Sequence, residues 1–113
     1  NNSKQNQTIV KNEYDIRGLI INRDSHKCFL FGKEISLTPI EFSILWYLCE
    51  NRGKVLKREY LIDEVWQGDT EFVDAHALTV AVKRLRDKLE DDTQKPEYVK
   101  TVYGIGYTWA VNG

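Results

Sequence analysis

Asp74-Ala75-His76-Ala77-Leu78-Thr79-Val80-Ala81-Val82-Lys83-Arg84-Leu85-Arg86-Asp87-Lys88-Leu89-Glu90 is the stretch that decides the fold. Leu78, Val82, Leu85 and Leu89 recur at helical spacing and form one apolar stripe, and Asp74 is a good N-cap for the helix they predict. At about 100° per residue the opposite arc holds His76, Ala77, Val80, Lys83, Arg84 and Asp87, with Arg86 toward the flank of the stripe. A helix that reads the major groove needs such a mixed arc. Arginine offers paired donors to guanine, and small apolar groups touch thymine methyls. The expectation is therefore that Arg84 contacts bases together with Val80 and Ala77, while Lys83, Arg86 and His76 contact the phosphate backbone. Two alternatives stay open at this stage. The helix can be a solvated amphipathic one whose bases are only surface charge, and Arg86 can pair with a carboxylate at the core edge and position the helix.

The flanking segments fit around this helix. Tyr98 to Val102 and Tyr107 to Val111 alternate as strands about Tyr103-Gly104-Ile105-Gly106, whose two glycines are expected to supply positive φ for a tight hairpin. Residues 98–110 then form a wing. Lys100, Thr101 and Tyr103 near its tip are placed to meet the backbone or a minor groove, whereas Tyr98, Tyr107 and Trp109 read as packing aromatics. Upstream, Thr38-Pro39-Ile40-Glu41 is a capping-box helix start. That helix runs to about Asn51 with Phe42, Leu45, Leu48 and Cys49 on one face, and Gly53 stops it. A second helix, about Arg58 to Trp66, buries Leu61, Ile62 and Val65. Its cap position holds Lys57, which cannot accept from backbone N–H groups, so its start is expected to be weaker. Strand runs at Leu19-Ile20-Ile21, Lys27 to Phe31 and Glu34 to Ser36 predict an antiparallel meander, with a short first strand near Tyr14 to Ile16. The fold class is α+β: a winged helix-turn-helix with an N-terminal antiparallel β-sheet, three helices and a C-terminal β-hairpin wing.

Bulk properties bound the function. A chain of 113 residues, 42% hydrophobic with three tryptophans, suits a single core. Residues 1–13 are polar and read as a disordered interdomain linker remnant, leaving 14–113 as the effector domain. No stretch approaches the roughly 18 apolar residues of a membrane span, and no signal-peptide run opens the chain, so a cytoplasmic protein without a membrane partner is expected. Cys28 and Cys49 lie in apolar stretches and are expected to be buried thiols. The net charge of −1 is unevenly spread. Glu59, Asp63, Glu64, Asp69, Glu71 and Asp74 crowd residues 59–74 with no Lys or Arg. Lys83, Arg84, Arg86 and Lys88 face only Asp87 within 75–89. Catalysis is not expected. His26 and His76 are the only histidines and sit in no nucleophile or metal motif, the Gly104-Ile105-Gly106 pair lacks the third glycine of a phosphate loop, and Asp63/Glu64 and Asp91/Asp92 do not converge. No cofactor and no metal are expected.

Leu37-Thr38-Pro39-Ile40-Glu41-Phe42, Glu64-Val65-Trp66, Leu78-Thr79-Val80, Arg84-Leu85-Arg86-Asp87-Lys88-Leu89 and Thr101-Val102-Tyr103-Gly104-Ile105-Gly106-Tyr107 together resemble the effector domain of OmpR/PhoB-family response regulators. Ile20-Ile21-Asn22, His26-Lys27-Cys28, Leu37 to Leu45 and Tyr98 to Thr101 make it similar to the vancomycin-resistance regulators within that family. The resemblance implies sequence-specific binding of double-stranded DNA and transcription regulation. It also implies a receiver domain phosphorylated by a sensor histidine kinase, pairing with a second copy, and binding to direct repeats. It assigns contact with RNA polymerase to the loop Gln67, Gly68, Asp69, Thr70, Glu71, Phe72 and Val73. By position it makes Arg84 a base contact, Lys83 and Arg86 backbone contacts, and Thr101 and Tyr103 wing contacts. His76 stands where many relatives have Arg, Ala81 where many have His or Gln, and Tyr103 at a frequent Arg position. Fewer ionic contacts and a weaker isolated domain follow. A reading from another class is a winged-helix protein-interaction module that uses the same helix on an acidic partner.

Overall fold

The N-terminal sheet is built on in-out alternation, which is clearest in its first two strands. In the computed structural model, which describes residues 12–67 and 75–110, β1 (Glu13–Ile16), β2 (Leu19–Asn22), β3 (Lys27–Leu30) and β4 (Lys33–Ile35) pair antiparallel in sequence order. The register puts Tyr14 opposite Ile21, Ile21 opposite Cys28 and Cys28 opposite Ile35, so one row of apolar side chains crosses the sheet. The meander expected from the turn and strand signals is present, including the short first strand, which begins at Glu13. Residues 1–11 of the expected linker lie outside the described residues.

Helix α1 (Pro39–Glu50) starts where the capping box predicts: Thr38 Oγ1 accepts from Glu41 N at 3.2 Å, and Glu41 Oε1 accepts from Thr38 N at 3.0 Å. Phe42, Ile44, Leu45, Trp46, Leu48 and Cys49 are all buried, which makes α1 the central helix rather than a one-faced surface helix. Both cysteines are buried free thiols. A strand unpredicted from sequence, β5 (Val55–Lys57), leads straight into α2 (Arg58–Val65). As expected, Lys57 caps α2 without a side-chain hydrogen bond. Helix α3 spans Ala75–Leu89 and buries Leu78, Val82, Leu85 and Leu89, the predicted stripe. Its expected cap, Asp74, lies outside the described residues.

The hairpin consists of β6 (Val99–Val102) and β7 (Gly106–Trp109), shorter than the sequence pattern and extended by β5 into a three-stranded sheet of order β5-β7-β6. Its two glycines do different jobs. Gly104 has φ +81° inside the 102–105 turn, which Ile105 N closes onto Val102 O at 3.0 Å. Gly106 does not have the positive φ expected of it. It is required because a Cβ there would lie 1.9 Å from the Leu56 carbonyl oxygen of β5. The strand that sequence analysis missed thus explains the second glycine. Tyr98, Tyr107 and Trp109 are buried as expected. The result is an α+β winged helix in which α1 lies at the centre. No helix among the described residues is long and apolar enough to cross a membrane.

Candidate nucleic-acid interface

The outer face of α3 divides into three strips. His76, Lys83 and Arg84 are exposed. The Lys83 side chain is 76% exposed, and its Nζ lies 3.5 Å from Asp87 Oδ2, one turn along the helix. Ala77 and Val80 are only half-buried rather than fully outward. They line a groove of about 360 Å³ with Thr38, Ile40, Trp66 and Arg84, because the first turn of α1 and the end of α2 stand beside them. On the other side, Thr79, Lys83 and Arg86 face the hairpin across a groove of about 480 Å³.

Arg86 turns inward to the hairpin. Its Nε donates to Val99 O at 3.0 Å and its Nη2 to Thr101 Oγ1 at 2.6 Å. The expected alternative partner, a carboxylate, is replaced by a carbonyl and a hydroxyl, because β6 presents its free edge to this helix face. Thr101 therefore has its hydroxyl engaged by Arg86. Lys100 is exposed, and Tyr103 at the tip is 90% exposed with Ile105 beside it. A further groove of about 710 Å³ brings Lys95, Lys100, Thr101 and Tyr103 together with Arg86.

Arg58 is the main residue that sequence reasoning missed. From the first position of α2 its Nη1 donates to Tyr107 Oη and its Nη2 to Thr79 Oγ1, both at 2.8 Å. The guanidinium carbons of Arg58 and Arg86 lie 5.6 and 5.7 Å from the Tyr107 ring centroid. Two cations thus share one buried aromatic ring, a contact the ring quadrupole favours. The available signal was Lys57-Arg58 at a helix start, where the macrodipole disfavours cations and a compensating partner is required. Lys95 was also missed; it sits in the turn after Asp91-Asp92, where adjacent acids mask it in any charge count.

Arg58, Lys83, Arg84, Arg86, Lys95 and Lys100 therefore gather around α3 and the hairpin, while Glu59, Asp63 and Glu64 are carried on α2. Such an arrangement can neutralise phosphates along a backbone and present one guanidinium to base edges. Of the loop assigned to polymerase contact, Gln67 is exposed with φ +53°, and Gly68, Asp69, Thr70, Glu71, Phe72 and Val73 lie outside the described residues. Among the described residues no group of three or more His, Cys, Asp or Glu side chains could hold a metal ion.

Residues 32–109 match the family described as transcriptional regulatory protein, C terminal. The regulatory protein VanR of Enterococcus faecium is 44% identical over 105 residues, covering 92% of this chain and 43% of that protein. This chain thus spans about two-fifths of the length of the curated relatives it matches. Among solved structures, the response regulator DrrB of Thermotoga maritima, an OmpR/PhoB homologue, has a TM-score of 0.80 at 39% identity, over 88% of this chain and 44% of that one. The DNA-binding domain of Klebsiella pneumoniae RstA, solved in complex with the RstA box, has a TM-score of 0.78 at 29% identity, over 88% of this chain and 98% of that one. The helix, the hairpin and these likenesses agree: the chain belongs to the transcriptional regulatory protein C-terminal family, as an OmpR/PhoB-type winged-helix DNA-binding domain.

Proposed function

We infer that this chain binds double-stranded DNA sequence-specifically to regulate transcription, with α3 in the major groove and the β6–β7 wing on the backbone or the adjacent minor groove. The observation that carries the reading is the exposed pair Lys83 and Arg84 on α3, flanked by the cationic groove that α3 and the hairpin form. The likeness to a relative solved on its own DNA box supports it. In this reading Arg84 contacts bases, with Val80 and Ala77 available at the groove beside it. Lys83, His76, Lys100 and Tyr103 meet the backbone, and Arg86 and Thr101 contribute chiefly through their mutual hydrogen bond. The chain acts by binding, without catalysis or cofactor, in the cytoplasm.

The length of the relatives beyond this match supports a receiver domain elsewhere in the whole protein, phosphorylated by a sensor histidine kinase. Phosphorylation then pairs two copies on direct repeats, and the loop 67–73 contacts RNA polymerase. The test is selection of bound sequences from a random duplex pool with the phosphorylated whole protein. A direct repeat with half-sites about 10–10.5 base pairs apart, centre to centre, is expected. A pool without enriched sequence, together with no duplex binding at low salt, overturns the reading in favour of an acidic protein partner.

A further inference from the structure

Glu90 follows α3 directly, and nothing in the DNA reading uses it. Its N–H still bonds the Arg86 carbonyl at 2.8 Å, so it continues the helix's own spacing. The residue is 8% exposed, one of two buried carboxylate residues among the described residues. Its Oε1 accepts from the backbone N–H of Glu97 at 2.7 Å and of Tyr98 at 3.2 Å, and its Oε2 from Tyr98 at 3.0 Å and Val99 at 2.9 Å. Three successive N–H groups converging on one anion make a strong, directional site.

One turn earlier, Arg86 holds the other side of the same residue: Nε donates to the Val99 carbonyl at 3.0 Å. Both backbone groups of Val99 are therefore gripped by side chains four positions apart, Arg86 in the last turn of α3 and Glu90 just past its end. This happens at the outer edge of the sheet, since among the described residues β6 has only β7 as a strand neighbour. Ala110 N bonds Tyr98 O at 2.9 Å, so by antiparallel alternation the groups of Val99 point away from β7. Edge groups of this kind need a partner, and here two charged side chains at the end of α3 and just beyond it occupy the place of a further strand. Two attachment points one turn apart fix both the distance of the hairpin from α3 and its rotation.

We propose that Glu90, with Arg86, is the clamp that sets the wing against the recognition helix, which makes Glu90 a positioning residue for the wing's contact with DNA. This rests on the DNA reading above. Lys100 lies in the strand that the clamp holds, whereas Arg84 lies on the helix itself, so only the contribution of Lys100 depends on Glu90.

The experiment measures binding of this chain to random-sequence duplex DNA across salt concentrations, with Lys100→Ala introduced into the wild type, into Glu90→Gln and into Arg86→Lys. Glu90→Gln keeps the size but turns an acceptor oxygen into a donor facing N–H groups. Arg86→Lys keeps the charge, loses the fork, and serves if the first variant fails to fold. In the wild type Lys100→Ala lowers the log–log slope by about 0.9. In either clamp variant the decrement is expected to fall below about half of that, the non-additivity of coupled sites. The factor by which Arg84→Ala lowers discrimination between a selected and a random duplex stays the same in all backgrounds. An equal Lys100 decrement everywhere overturns the clamp, as does an Arg84 effect that shrinks in step with it, which marks general loosening. A wild-type chain that binds no duplex at low salt overturns the DNA reading, and the proposal with it. A wild-type chain that binds while the variants behave additively overturns the clamp alone.

Discussion

The Lys88 ammonium lies 2.5 Å from Glu41 Oε1, the oxygen that also accepts the Thr38 backbone N–H at 3.0 Å. A capping box thus doubles as the socket for the last turn of the recognition helix. The Glu41 side chain is 3% exposed and that of Lys88 35%, so the pair sits across the boundary of the core. It ties the start of α1 to the end of α3, and Arg84 stands one turn before Lys88. The orientation of the reading face is set by a residue 47 positions away in sequence.

Lys88→Met is expected to cost about 1–3 kcal/mol, because it leaves a buried carboxylate short of a partner. Lys27→Met provides the contrast: Lys27 pairs with Glu34 at 3.4 Å with both side chains about half exposed, and such pairs contribute about 0–1 kcal/mol. Urea unfolding of the two variants measures the difference. Equal midpoints sink the argument that burial of Glu41 makes its ion pair matter.

Arg84→Ala is expected to lose about 1–3 kcal/mol of discrimination between a selected target and random DNA, while Lys83→Ala weakens both alike and flattens the salt slope by about 0.9. The Lys83–Asp87 pair does not hold Lys83 back, since an exposed i,i+4 pair stabilises by about 0.3–0.5 kcal/mol. Equilibrium titration at several salt concentrations separates the two roles. Unchanged discrimination removes Arg84 from the base-reading role, and an unchanged slope removes Lys83 from the phosphate.

What was legible in the sequence was local. The Thr38 cap, the Leu78-Val82-Leu85-Leu89 stripe and the turn at Gly104 are each decided by neighbours within a few residues, so periodicity and turn chemistry suffice. Lys95 apart, the misses are non-local. Val55-Leu56-Lys57 is too short to show alternation and becomes a strand only because β7 offers it an edge. Gly106 looks like a turn residue until Leu56 O is brought against it. Glu90 carries no signal in its own neighbourhood, and Arg58 only that of a cation at a helix start. For Arg86 the helical wheel leaves phosphate contact and helix positioning both open. Yet each bonds a segment 9 to 49 positions away. A helical wheel gives the direction of a side chain, not the height of the neighbouring wall. Val80 and Ala77 therefore looked more open than the start of α1 leaves them.

Gly106→Ala should destabilise the domain far more than Gly104→Ala, though both belong to the same hairpin. At Gly104 an alanine meets nothing within 4 Å and bears only the strain of φ +81°, about 1–2 kcal/mol. At Gly106 the new methyl meets the backbone of β5 at 1.9 Å, and neither strand can yield without breaking the β5–β7 pairing. Thermal unfolding of both variants is the measurement; similar losses indicate that β5 is not held where the register places it.

Burial governs the two thiols. It pushes Cys28 from its ordinary 9.0 up to about 11, and it also drives Cys49 well upward. At pH 8 roughly one Cys28 in a thousand is thiolate, so the native chain should resist thiol reagents that modify it quickly in urea. A folded-state pKa above the unfolded value means stability is full below about pH 9 and drains away as pH rises toward 11 and beyond. The loss is up to about 1.4 kcal/mol per pH unit for each titrating thiol. Burial shifts Tyr14 and Tyr98 upward as well, which adds to the same alkaline decline. Unfolding midpoints that hold constant from pH 8 to 11 contradict this.

Tyr103→Arg is expected to tighten DNA binding. Tyr103 is 90% exposed at the tip of the hairpin, beside the groove lined by Lys95, Lys100 and Arg86. A phenol there can bond a phosphate or lie on a sugar, but it displaces no counterion. A guanidinium adds one cation where the backbone or the minor groove runs, steepening the salt dependence by about 0.9. Because the side chain is 90% exposed, the exchange should leave the stability unchanged within about 0.5 kcal/mol. The gain should be the same for random and selected duplexes if the tip meets only phosphates, and larger for A·T-rich flanks if it enters a narrowed minor groove. Titrations on duplexes with A·T-rich and G·C-rich flanks distinguish these outcomes. An affinity that does not rise on any duplex places the tip away from the DNA and confines the wing's contribution to the Lys100 level of the hairpin.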